Sequence, residues 1–205
     1  MARSVTNITW LAGIALIFTL LAAISSAGCD ARDASASPPS ITIDKAAQVE
    51  RGSYLVRTSA CHDCHTPLKM GPNGPEPDMS RMLSGHPEGF KIPALAPAPS
   101  GVWENGMVAA PTSTAFSGPW GVSFTANLTP DRNTGLGIWT EEMFVKAIRT
   151  GKHFGVSRPI LPPMPWAVYR NMTDDDLKAI FAYLRTIPPV INHVPDPIPP
   201  VTATH

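Results

Sequence analysis

Two of the chain's three cysteines stand three positions apart in S-A-C-H-D-C-H-T-P, residues 59–67, with a histidine directly after the second. Four chemistries use such side chains: a structural zinc, a redox dithiol, a disulfide, or covalent attachment of a haem. Zinc needs four ligands, usually as two pairs, and the chain has no second C-x-x-C and no H-x-x-x-H. A thioredoxin-like dithiol follows a strand inside a βαβ pattern, whereas this motif follows a helical one. A disulfide between Cys61 and Cys64 leaves His65 without a role. The haem reading uses all three side chains: both thiols add to the vinyl groups on one edge of the ring, and His65 is placed beneath the iron. One such motif predicts one haem c.

His65 fills one axial position, and the opposite face needs its own ligand. A methionine there favours ferrous iron, raises the potential and closes the site to small molecules. Of eight methionines, Met164 stands out in R-P-I-L-P-P-M-P-W, residues 158–166, where four prolines stiffen the backbone around one sulfur. Met143 reads as helix core, and Met172, just before a helix cap, fits either role. In A-N-L-T-P-D, Asn127 and Thr129 are candidates for bonding the haem propionates, with Trp139 or Trp120 nearby, although the same residue types serve as turn formers. Arg158 is a candidate propionate partner. His62, His86, His153, His193 and His205 have no ligand-like context and read as surface residues.

Positioning these groups falls to three helices. The first begins at Asp44, a cap, with Ala47, Tyr54, Leu55 and Thr58 expected on one face. Gly52 inside it costs about 1 kcal/mol against alanine, which points to close packing. Residues 140–151 read as a helix capped by Thr140, with Met143, Phe144, Ala147 and Ile148 inward and Gly151 as the stop. Thr173 caps a third, where three aspartates occupy the first turn and Leu177, Ile180, Phe181 and Leu184 repeat at helical spacing. Between them, residues 68–121 are rich in Pro, Gly, Ser and Ala without a period. A stretch that long suggests organisation by a buried cofactor.

The bulk numbers exclude some partners. Sixteen basic residues balance sixteen acidic ones, and no basic stripe supports nucleic-acid binding. Twenty-three prolines predict a loop-rich domain with short helices. Arg3 followed by the uncharged run 10–24 reads as an export signal, too short to span a bilayer. The signal occupies residues 1–28, with S-S-A-G-C ending at Cys29, a lipidation candidate; cleavage after Ala27 and an uncleaved anchor are the competing readings. Residues 29–43 read as a flexible tether, 44–190 as the folded domain, and 191–205 as a proline-rich tail lying extended over the surface.

An ordered series of segments over residues 50–190 resembles the cytochrome c domains in cytochrome subunits of membrane-bound bacterial dehydrogenases for alcohols and sugar acids. The segments are RGSYLVRTSACHDCHT, ANLTPDRNTGLGIWT, FVKAIRTGKH, PILPPMPW and MTDDDLKAIFAYLRTIPPV. The resemblance implies an all-α fold wrapped around haem, with His65 and Met164 as axial ligands. It also implies that the first and last helices cross where Gly52 meets Tyr183. The expected function is one-electron transfer on the periplasmic side of a bacterial membrane, not catalysis. Its partners would be a dehydrogenase, another cytochrome or a terminal oxidase, and the inner membrane through an N-terminal lipid or signal anchor. Two alternatives stay open: a haem protein with a free sixth position for a gas or peroxide, and a haem-free anchored interaction module.

Overall fold

The computed structural model describes residues 44–91 and 106–200. The export signal, Cys29, the tether and His205 lie outside the described residues. Helix α1, Lys45–Thr58, starts where the Asp44 carboxylate accepts from the Ala46 amide at 3.0 Å. Helix α5, Asp174–Leu184, starts where the Thr173 hydroxyl accepts from Asp176, at 3.1 Å. The two pack together at Gly52, where a Cβ would fall 1.9 Å from the Ala179 carbonyl oxygen and 2.8 Å from the Tyr183 Cβ. Only glycine lets two backbones approach this closely. The buried stripe of α1 is therefore Gly52, Leu55 and Val56. Ala47, Tyr54 and Thr58, expected inside, are exposed, because the stripe is centred on the glycine contact.

Helix α3, Glu141–Thr150, is capped by Thr140 and ends at Gly151, whose φ of 65° suits a residue without a side chain. Phe144, Ala147 and Ile148 face the core, while Met143, expected among them, is exposed at the edge of that face. A five-residue helix α2, Cys61–His65, follows α1, and a single turn α4, Trp166–Tyr169, precedes α5. No helix among the described residues is long and apolar enough to cross a membrane.

The all-α expectation is overturned by five short strands in two antiparallel sheets among the described residues. Strands β1, Leu68–Gly71, and β2, Gly74–Pro77, form one hairpin; β3, Val108–Ala109, β4, Ala115–Gly118, and β5, Gly121–Phe124, form the other sheet in chain order. Four-residue strands are too short to display a period, and β4 is buried along its whole length, so its sequence does not alternate.

Part of the irregular stretch is therefore organised by backbone pairing and buried polar side chains. His86, expected at the surface, is fully buried, its Nδ1 3.0 Å from the Thr114 hydroxyl. The tail is docked as well. Asn192 is buried against residues 81–88, and Ile198 exchanges backbone hydrogen bonds of 2.8 and 2.9 Å with Val122.

Candidate haem site

Positions i, i+3 and i+4 of a helix share a face, so the single turn α2 places Cys61, Cys64 and His65 on one side. The corner that starts it is Ala60, at a left-handed φ of 57°. That conformation costs an alanine about 1–2 kcal/mol, and the corner is clamped from both sides. The Tyr169 hydroxyl donates to the Ser59 carbonyl at 2.5 Å, and the Ser113 hydroxyl donates to the Asp63 carbonyl at 3.0 Å.

Cys61, Cys64, His65, Met164 and Met172 all line one cavity of about 380 Å³. Its apolar walls come from Val56 of α1, Phe144 and Ile148 of α3, and Leu177, Ile180 and Leu184 of α5. Trp139 stands at its edge, stacked on Phe154 with ring centroids 4.5 Å apart. The C-terminal segment supplies His193, Val194, Pro195 and Pro197 to the wall.

The donor chemistry suits a covalently held haem. Cys61 and Cys64 are free thiols rather than a disulfide. His65 is buried, and its Nδ1 lies 2.8 Å from the Ala126 carbonyl. A carbonyl only accepts, so Nδ1 carries the proton and Nε2 keeps a lone pair for a metal. Burial lowers the His65 pKa, the bond to Ala126 raises it and neighbouring His62 lowers it, with a net downward shift that favours the neutral ligand form. Burial also pushes the Cys61 thiol up to about 11, and Cys64 moves the same way. No group of three or more His, Cys, Asp or Glu side chains is assembled for a metal ion among the described residues.

The residues expected to hold propionates also make contacts within the chain. Asn127 Oδ1 accepts from the Thr129 amide at 2.9 Å and from its hydroxyl at 2.7 Å, while Asn127 Nδ2 donates to the Val190 carbonyl at 2.8 Å. The pair ties its turn to the tail; Asn127 lines the cavity and Thr129 does not. Arg158 lines the cavity, is exposed and has no carboxylate within 4.0 Å among the described residues. Trp120 lies outside the cavity wall, its indole donating to Ser123 at 3.2 Å. His153 and His193, expected only at the surface, both line the cavity. Sequence reasoning missed Tyr169, Ser123, Ala126 and the tail, none of which carries a motif.

No family model matches the chain. It is 29% identical over 138 residues to the fructose dehydrogenase cytochrome subunit of Gluconobacter japonicus, covering 67% of this chain and 21% of that protein. It is 28% identical over 154 residues to the cytochrome c subunit of the quinone alcohol dehydrogenase of Gluconobacter oxydans, covering 73% and 24%. The chain is similar to dehydrogenase cytochrome c subunits. A much longer nicotinate dehydrogenase polypeptide of Pseudomonas putida is 28% identical over 159 residues, 78% of this chain and 10% of that protein. The chain thus spans a quarter or less of these relatives' lengths.

Proposed function

We propose that the protein is a one-electron carrier holding a single haem c, attached through Cys61 and Cys64, with His65 and Met164 as axial ligands. The observation that carries this reading is the convergence of two free thiols, an oriented neutral imidazole and a methionine of a proline-stiffened loop on one apolar cavity. When bound, the haem supplies a reversible one-electron couple. The chain's own residues do the rest. The carbonyl of Ala126 fixes the His65 ring, and the apolar side chains of α1, α3 and α5 exclude water. A thioether ligand and an apolar surround both disfavour the more highly charged oxidation state and raise the potential. Filling both axial positions with protein leaves no place for a substrate.

The dehydrogenase relatives support a dehydrogenase as one redox partner; another cytochrome or a terminal oxidase is the proposed partner on the other side. The export signal supports a periplasmic site of action, and Cys29 is the proposed lipid anchor. A change of Cys29 to serine that abolishes incorporation of labelled fatty acid would support the anchor; unchanged labelling would exclude it.

The test of the central reading is the absorption spectrum of protein matured with haem-attachment machinery, taken oxidised, reduced, and reduced under carbon monoxide. The expected result is c-type bands, a weak far-red band of sulfur bound to ferric iron, and no carbon monoxide shift in wild type. Met164→Ala abolishes the far-red band and Met172→Ala retains it. Ready carbon monoxide binding by wild type would overturn the closed-site reading, and a colourless protein would overturn haem.

A further inference from the structure

We infer that Ser123 is a positioning residue for the Met164 loop, and that β5 thereby aligns both sides of the cavity. The inference rests on the reading of Met164 as a ligand. The Ser123 side chain is buried, and its hydroxyl lies 2.5 Å from the Pro162 carbonyl, two residues before Met164. The indole of Trp120 donates to the same hydroxyl oxygen at 3.2 Å. A hydroxyl has one proton and two lone pairs. With the indole on a lone pair, the proton is directed to Pro162, and the 3.3 Å approach to the Phe116 carbonyl is the weaker alternative.

The loop depends on such an outside donor. Pro159, Pro162, Pro163 and Pro165 have no N–H to offer. The Ile160 amide, bonded to the Gly151 carbonyl at 2.8 Å, ties the loop to the end of α3. The Ser123 bond ties it to the sheet.

What makes this more than a local tie is the course of the strand. Three residues after Ser123, the Ala126 carbonyl receives the His65 ring proton at 2.8 Å. Gly85, whose missing Cβ would fall 2.4 Å from the Thr125 carbonyl oxygen, donates its amide to the His65 carbonyl at 2.8 Å. One short backbone segment thus holds the histidine side of the cavity through a carbonyl and the methionine side through a hydroxyl.

The test compares haem-loaded wild type with Met164→Ala, Ser123→Ala, Ser123→Thr and Thr112→Val. Thr112 is an equally buried hydroxyl before β4 that bonds Thr114 at 2.8 Å, away from the Met164 loop. Losing one neutral hydrogen bond shifts a conformational equilibrium by about three- to tenfold. Ser123→Ala should therefore weaken the far-red band and raise apparent carbon monoxide affinity of the reduced protein by about that factor. Ser123→Thr should restore both, and Thr112→Val should lower stability without moving either. If Ser123→Ala does not load haem, Trp120→Phe is read instead, with a smaller change in the same direction expected. The inference is overturned if Met164→Ala abolishes the band while the Ser123 and Trp120 variants leave band and affinity at wild-type values. A band that survives Met164→Ala overturns the ligand assignment, and this role with it.

Discussion

Replacing Asn192 by alanine should destabilise the protein out of proportion to its size. Its amide nitrogen donates to the Ser84 and His86 carbonyls, each at 2.8 Å; its oxygen accepts from the Arg81 guanidinium at 2.8 Å and the Glu88 amide at 2.9 Å. The Arg81 and Glu88 groups can regain water, because Glu88 is exposed and Arg81 is half-buried. Ser84 and His86 are fully buried, so their carbonyls lose a partner and gain nothing. At about 1–3 kcal/mol for each buried group left unpaired, the loss is about 2–6 kcal/mol, a large part of a domain's usual margin of about 5–15 kcal/mol. Urea unfolding of the haem-loaded protein measures it, with an unchanged slope expected. A second readout is local: the residues after Asn192 line the cavity, with the His193 amide donating to the Glu88 carboxylate at 3.3 Å and Ile198 pairing with Val122. Hydrogen exchange at the Ile198 amide, bonded to the Val122 carbonyl at 2.9 Å, should accelerate more than exchange in α3. A loss below about 0.5 kcal/mol, the range of featureless surface changes, would refute the reasoning. So would unchanged protection at Ile198.

Gly52→Ala should destabilise by about 1–3 kcal/mol, as overpacking outweighs the better helix propensity of alanine; a raised melting temperature would show that the helix crossing relaxes freely. Thr173→Ala removes the acceptor of the Asp176 amide and should lower stability by about 1 kcal/mol in denaturant. Tyr169→Phe should cost about 0.5–1.5 kcal/mol by freeing the Ser59 carbonyl beside the strained Ala60 corner, read by the same unfolding assay. Burial lowers the His86 pKa below its ordinary value of 6.5, with the Phe90 carbonyl raising it and Arg81 lowering it. The unfolded chain therefore binds the extra proton first, and stability should fall as pH drops below 6.5 toward the folded pKa. Urea midpoints between about pH 7 and 5 check this, and His86→Gln should flatten the slope.

The site was legible where chemistry demands particular residue types at particular spacing. Cys61, Cys64 and His65 share one helical face and Met164 stands among prolines; both sets reach the same cavity. The helices were legible because caps and stops act locally: Thr140, Gly151 and Thr173 each do what their side chains permit in any protein. Helix faces were less so. Met143 and Tyr54 were misplaced because the buried stripe is set by the neighbouring element, and at Gly52 that neighbour is Ala179, far along the chain. His86 and Asn192 carry no outward sign of burial, since a polar side chain is buried only when distant backbone groups arrive to satisfy it. Asn127 and Thr129 use part of their hydrogen-bonding capacity on Val190 of the tail, a partner no local motif announces.

The strands follow from what a helical frame cannot supply. Carbonyls inside a helix already accept from the amide four residues on and offer only their second lone pair, which Thr58 and Thr150 use at Tyr54 and Lys146. His65 instead uses Ala126, just past the end of β5, where the carbonyl is not committed to a helical ladder. The Met164 loop has the opposite need. Its prolines leave carbonyls with few donors nearby, and the Ser123 hydroxyl of the same strand supplies one. A β-hairpin meets both needs at once, because it presents backbone acceptors at its end and inward side chains along its length. One non-helical segment, residues 121–126, thus serves both the buried histidine and the proline-rich loop, although no period in the sequence announces it.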